Sequence, residues 1–457
     1  MNMIINCNLY FYVYCIRRHI IYVIVFKFQM GIALYCCIIY LLVVMVLLVE
    51  ACQTCRPIID VDDNKVCPIS EKLKSLNYVL SQGVVSDNNE TLGLTLRKCE
   101  IATVELQAFQ NLSSLKYVDL SQNSISYLKV GVLDSARHIT YLNLSNNALT
   151  DVALGLFDQT TILEVLDLKK NKIQQLKLGL FDSLKKLRNL DLSSNLLVGK
   201  DLNPYIFDHN RYIINLDLSK NDMSETPSNF LHAFEDLQLL NLDKCLLTDV
   251  PTFIVAQNLK TLKCLILSRN KINNLEDVSK FIHFESLENL NLADNSLENI
   301  HEDIFKPLKK LKIIVLRNNR LTHLPDNLFL NMNTLANIDL SHNLIESVPV
   351  RAFMGTSVKN LNLSDNRFTY LVDNFCLELR NSGAKLKKFY FSLNPWQCTC
   401  LMSILDEVKK FGIEYSHINY DGKHAVCVTT ADTSCKRHDR FNSVYTNLYN
   451  DAMLVAS

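Results

Sequence analysis

The sequence predicts an α/β solenoid of about 13 stacked repeats, and three observations predict it. First, one spelling recurs along most of the chain, as at residues 335–345 (LANIDLSHNLI), with apolar side chains at its first, fourth, sixth and eleventh places. Its starts are Thr91, Leu115, Ile139, Leu163, Leu187, Ile213, Leu237, Leu262, Leu287, Leu311, Leu335, Val358 and Leu386. They lie 23 to 28 residues apart and mostly 24, a period that marks a solenoid. Second, the ninth place holds Asn123, Asn147, Asn171, Asn195, Asn221, Asn270, Asn295, Asn319, Asn343, Asn366 and Asn394. Third, a second apolar row follows downstream: Phe109, Phe157, Phe181, Phe207, Phe281, Phe305, Phe329 and Phe353.

Each part of the repeat has a physical reason. The Leu-x-Leu alternation at places four to six is a short strand with its leucines on one side. A unit this short cannot bury them alone, so stability comes from stacking on its neighbours. The ninth-place residue turns the chain out of the strand. Its amide both donates to and accepts from main chain that would otherwise lack partners, and stacked copies form a ladder. Cys99 and Cys245 replace it in two repeats, where a small buried thiol is expected.

This LxxLxLxxNxL spelling with a downstream Phe resembles the leucine-rich repeats of extracellular proteins, such as Toll and Slit ectodomains and the small proteoglycans. The match covers about residues 91–394. The resemblance implies a curved horseshoe with a parallel β-sheet on its concave side and a disulfide-bonded cap at each end.

Residues 1–51 are different material. Residues 31–49 are continuously apolar, and Val49 and Ala51 suit places −3 and −1 of a signal-peptide cut that leaves Cys52 as mature N-terminus. The same run is long enough to span a bilayer uncut, as an N-terminal anchor. Met30 as true initiator would make residues 1–29 non-native. Residues 52–90, with Cys52, Cys55 and Cys67, read as an N-terminal cap of open connectivity.

At the other end, Asn394-Pro395-Trp396-Gln397-Cys398-Thr399-Cys400 precedes Cys427 and Cys435. Residues 395–435 resemble the C-terminal cysteine cap of these proteins, which implies Cys398–Cys427 and Cys400–Cys435 bridges with Trp396 packed over the last repeat. A zinc site is the alternative for such a cysteine set. Residues 436–457 read as a polar-to-mixed tail with no apolar span, no GPI-type signal and no heptads.

Composition bounds the function. Lysine plus arginine equals aspartate plus glutamate at 47 each, which argues against a nucleic-acid or general polyanion binder. Fifteen cysteines, gathered in the leader and caps, suit an oxidising compartment. Cys264 and Cys376 have no evident mates. The 11 cysteines after Ala51 are odd in number, so one is free or pairs between chains. There is no HExxH, GxSxG, P-loop or GxGxxG after a strand, and the histidines are scattered. The expectation is no enzyme, no cofactor and no metal.

Ligands of the family often meet the concave sheet. The fifth place carries Asp119, Asp167, Asp191, Asp217 and Asp339 among several asparagines, which is ordinary spelling and weak evidence of a basic partner. The departures say more. Ile266 and Val315 are apolar at the fifth place, and Leu239, Cys264 and Ile313 at the third. Strands about 4.8 Å apart would gather them into one protein-binding cluster in repeats seven to ten, rimmed by Arg269 and Arg317. The bland alternative is strand packing among β-branched residues.

Four Asn-x-Ser/Thr sequons mark Asn89, Asn111, Asn143 and Asn362 for glycosylation. Asn143 and Asn362 fall on the concave face, leaving its middle open. Basic clusters (Lys169, Lys170, Lys172, Lys177, Lys185, Lys186, Arg188; and Lys306, Lys309, Lys310, Lys312, Arg317, Arg320) read as a solvated face, or as a contact for sulfated glycans. The expected function is extracellular protein recognition in signalling, adhesion or innate immunity. The partner is a protein ligand or receptor, or a second copy. The alternative is a matrix component that binds collagen-like or glycosaminoglycan partners.

Overall fold

The computed structural model describes residues 70–456 apart from 87, 256, 417–425, 430–432 and 438–442, and in the leader the pairs 15–16 and 19–20. The chain divides into two compact units, Met1–Thr54 and Cys55–Ser457. In the first, Cys15–Ile16 pairs antiparallel with His19–Ile20. The signal or anchor reading of residues 31–49 and the cysteines Cys52, Cys55 and Cys67 fall outside the described residues.

The second unit is built on one 13-stranded sheet, with strands in chain order and every neighbour parallel. Each strand is only three residues, places three to five of a repeat. It begins with Gly93–Thr95 in repeat one and ends with Lys388–Tyr390 in repeat thirteen. The register keeps like over like: Leu216, Leu240, Leu265 and Leu290 face one another across successive strands and are all fully buried. Alternation thus sends the fourth-place leucines inward, and the third and fifth places to the concave face.

What ends each strand so soon is a left-handed residue. The eighth place of every repeat, from Lys98 to Leu393, has φ between 51° and 57°. The ninth-place amide then ties the turn across two repeats. Asn319 donates from Nδ2 to the carbonyls of Leu292 (3.0 Å) and Leu316 (2.9 Å), and its Oδ1 accepts from Leu297 N (3.0 Å). The other ten asparagines repeat this arrangement. Cys245 makes a partial substitute: its Sγ donates to Leu218 O at 3.4 Å, and Met223 N turns to the backbone carbonyl of Cys245 at 3.0 Å. Cys99 is a disulfide half-cystine rather than the buried thiol expected for it.

The outer side is mostly turns and short 3-10 segments such as Asp134–Ala136 and Val350–Phe353. Its phenylalanines form a spine. Phe157, Phe181 and Phe207 stack at 6.4 and 5.9 Å, and Phe281, Phe305, Phe329 and Phe353 continue at 6.1, 6.1 and 5.9 Å. In repeat six, Phe230 takes the next step at 5.4 Å from Phe207. Each ring is shielded from water, and burying one stabilises by roughly 1.5–3 kcal/mol.

The C-terminal cap closes the open end of this core. Phe389 N donates to Glu414 O (2.8 Å), which ends the sheet in cap backbone. Trp396 is buried, stacks on Phe368 at 5.9 Å and donates its indole N–H to Phe391 O at 2.8 Å. Bridges join Cys398 to Cys427 and Cys400 to Cys435, so the four sulfurs are spent on disulfides and the zinc alternative falls. The tail departs from its reading as a plain polar segment. Ser443–Ala456 is a helix, with Tyr445 and Tyr449 buried beside Val428.

Candidate functional site: the concave face

The acidic fifth-place row is first of all scaffold. Asp119, Asn143, Asp167, Asp191, Asp217, Asn241, Asn291, Asp339 and Asn362 each accept, through Oδ1, the N–H two residues on, at 2.8–3.1 Å. A short side chain with one acceptor oxygen locks the strand exit, which is why Asp and Asn recur there. The register stacks Asp167, Asp191 and Asp217 on consecutive strands. Burial, then the like charges of Asp217 and Asp167, push the Asp191 carboxyl up to about 7. Burial likewise raises Asp167 to about 6. Lys169, 3.9 Å from Asp191, offsets this only in part.

The expected apolar patch is present but divided. Leu239 and Cys264 lie opposite each other and are buried, while Ile266, Ile313 and Val315 are half-buried. Between repeats eight and ten, however, repeat nine inserts Asn289 and Asn291, which face Cys264 and Ile266 on one side and Ile313 and Val315 on the other. Repeats seven to ten therefore carry two apolar spots parted by a polar strand, not one cluster. Cys264 is also a disulfide half-cystine, which leaves Cys245 and Cys376 as free thiols among the described residues.

The two rim arginines differ. Arg269 grips buried Asp243 with two hydrogen bonds, Nε to Oδ1 at 2.7 Å and Nη2 to Oδ2 at 2.5 Å, and Ser268 Oγ adds a third at 2.7 Å. Such a fork fixes the arginine in place. Arg317 lies 3.9 Å from Asp294 and stays half-exposed.

At the other end of the face stands a pair that sequence reading passed over. Tyr117 and Tyr141, both at the third place, stack at 4.4 Å with rings 11° apart. Two tyrosines spaced by one repeat were the available signal.

Of the four sequons, Asn89 and Asn111 are exposed, with Asn111 on a left-handed turn. Asn143 and Asn362 are half-buried, and their amide oxygens already hold Ser145 N and Ser364 N.

Many cations of the basic clusters are paired: Lys177 with Asp151, Arg188 with Asp236, Lys306 with Asp303, Lys312 with Glu288 and Arg320 with Glu298. An open cavity of about 440 Å³ lies on the outer turns of repeats nine to eleven. There Asn327 bridges Glu302 and Arg351, so these polar groups satisfy one another.

The leucine rich repeat family profile matches residues 93–149, 137–197, 285–345 and 309–368, turns that carry eight of the eleven ladder asparagines, with Asn221, Asn270 and Asn394 outside the matched stretches. The matched turns are leucine-rich repeats, and the rest of the sheet continues their fold. Over 177 residues the protein is 29% identical to the CD180 antigen of Mus musculus, covering 38% of this chain and 26% of that one. Over 195 residues it is 31% identical to Toll-like receptor 10 of Bos taurus, covering 38% and 23%. It thus spans about a quarter of the length of these relatives. Among solved structures, Toll in the Toll–Spatzle complex superposes with a TM-score of 0.56 at 23% identity, over 74% of this chain and 46% of that one. That likeness is one of fold.

Proposed function

We propose that this protein acts outside the cell as a recognition module, holding a protein partner on its concave face, and that it catalyses no reaction. The observation that carries the reading is the preformed 13-stranded sheet, whose backbone is locked turn by turn through the asparagine ladder. A rigid face loses little conformational entropy on binding. The apolar spots at Ile266 and at Ile313 with Val315, bordered by Arg269 and Arg317, supply the contact chemistry. Similarity to receptors of the Toll-like type, and to a Toll solved with a protein ligand, supports a protein partner. The cap disulfides suit an oxidising compartment. Pairing of the basic clusters favours a solvated face over a sulfated-glycan site.

The test is proximity capture from culture medium and cell surface with the full chain and with Ile266→Asp plus Val315→Asp, after circular dichroism shows both folded. A partner whose capture drops about tenfold or more in the variant bears the reading out. Equal capture by both chains overturns it. Mass spectrometry of the same material separates secretion, with an N-terminus at Cys52, from an anchor that retains residues 31–49.

A further inference from the structure

A second surface runs along the outer flank of repeats one to five. At the sixteenth place of four consecutive repeats stand Leu106, Val130, Leu154 and Leu178, and repeat five exposes Tyr205 at its nineteenth place. All five are about half exposed, 49–54%. The four aliphatic side chains form one ridge. A Cβ at Gly131 would meet Leu106 at 3.6 Å, one at Gly155 would meet Val130 at 3.5 Å and one at Gly179 would meet Leu154 at 3.7 Å. Those glycines have φ of +86° to +90°, so the groove between aliphatic side chains stays free of side-chain atoms.

The scaffold does not require this. Repeats six, nine and ten put Ser228, Glu302 and Asp326 at the same place, all exposed, and fold the same turn. The ridge is therefore an addition to the repeat, confined to its N-terminal third, and contiguous exposed apolar surface of this kind marks an interaction site.

Charge indicates what covers it. A row of carboxylates, Asp134, Asp158 and Asp182 at the twentieth place and Asp208 directly after Phe207, accompanies the ridge. The Asp134, Asp158 and Asp182 oxygens would lie 3.5–3.7 Å from a Cβ on the neighbouring glycine. Asp182 and Asp208 have histidine neighbours, His209 at 3.3 Å and His232 at 3.2 Å. Asp134 and Asp158 are exposed and make no ion pair among the described residues.

We infer that the flank of repeats one to five docks a basic amphipathic segment of a partner protein, apolar side against Leu106, Val130, Leu154 and Leu178 and cations against Asp134 and Asp158. The carboxylate row disfavours an anionic membrane there. The site lies apart from the concave face and does not depend on it.

The probe is a short synthetic leucine/lysine amphipathic helix, with a leucine/glutamate counterpart, titrated against the full chain by fluorescence anisotropy. The leucine/lysine peptide should bind and the leucine/glutamate peptide should not. Val130→Glu plus Leu154→Glu, tolerated by the fold because Glu302 and Asp326 already occupy that place, should weaken binding by about tenfold or more. Asp134→Lys plus Asp158→Lys should reverse the charge preference. Ile266→Asp plus Val315→Asp should leave binding intact, which separates failure here from failure of the concave-face reading. Peptide binding indifferent to the flank substitutions overturns the inference. So does concentration-dependent dimerisation abolished by Val130→Glu plus Leu154→Glu, because the occupant would then be a second copy.

Discussion

Every repeat holds a left-handed residue at its eighth place, and none of the thirteen is glycine. For an L side chain that conformation costs about 1–2 kcal/mol, a charge the surrounding hydrogen bonds must offset thirteen times. Lys220, which has φ of 57° and no ion pair among the described residues, is a clean place to relieve it. Lys220→Gly should raise stability by roughly 0.5–1 kcal/mol, after the larger unfolded-state entropy of glycine is subtracted. Urea melts of both chains check this, and an unchanged midpoint would show the conformation to be unstrained. The Asp191 carboxyl sets a different expectation. Its pKa is near 3.9 in an unfolded chain and about 7 in the folded one. Between those values the native state binds more protons than the unfolded state. Stability on this account therefore falls as pH rises from about 4 to 7, and levels off above. Asp191→Asn keeps the turn acceptor and removes the titration. Its melting temperature should stay flatter than the parent's across pH 5–7, and parallel curves would sink the assignment.

Within a single turn, the phenylalanine spine and the leucine strand face each other across the core, and neither is complete without the next repeat. Phe305 sits between Phe281 and Phe329 at 6.1 Å from each and is fully buried. Phe305→Ala should cost about 3–5 kcal/mol. Hydrogen exchange would find the loss concentrated in repeats eight to ten, and uniform loss along the chain would contradict nearest-neighbour stability. The strands, the ladder and the spine were legible beforehand because each is one residue type at one period. The cap bridges were legible only through family resemblance. The eighth-place φ was not, since Lys, Gln, Asn, Ser, Arg, Asp, His and Leu all occupy it and leave no compositional trace. The division of the apolar patch was readable from Asn289 and Asn291, but only once strands were laid in register. That Cys99 and Cys264 are each half-cystines is not encoded in their spacing. The tail helix was missed although Tyr445, Tyr449 and Met453 recur there every four residues, the spacing of one helix face.

At the scale of the whole solenoid, stability is limited at the ends, where a repeat has one neighbour instead of two. The C-terminal cap supplies the missing neighbour through Trp396 and through two bridges that close 29- and 35-residue separations. Loops of that size stabilise by roughly 3–4 kcal/mol each. Cys400→Ser plus Cys435→Ser should lower the melting point and loosen repeats twelve and thirteen first. Limited proteolysis cutting there before repeats two to five is the expected pattern, and simultaneous cutting throughout would argue that the rod melts as one piece. A partner bound at repeats eight to ten would be insulated from such fraying, while the flank of repeats one to five lies at the opposite end. The two surfaces can therefore be occupied at once.

The cysteine in repeat seven gives the rod a mechanical seam. Where an asparagine side chain would clasp the preceding turn with one donor and one acceptor, the Cys245 side chain offers only a weak S–H contact to Leu218, beside the backbone bond from Met223 N. Stretched end to end in an optical trap, the molecule should yield first between repeats six and seven, tearing into two halves of unequal length. Replacing Cys245 with Asn should move that first rip to higher force, and a trace insensitive to the exchange would show that tension is shared evenly along the coil.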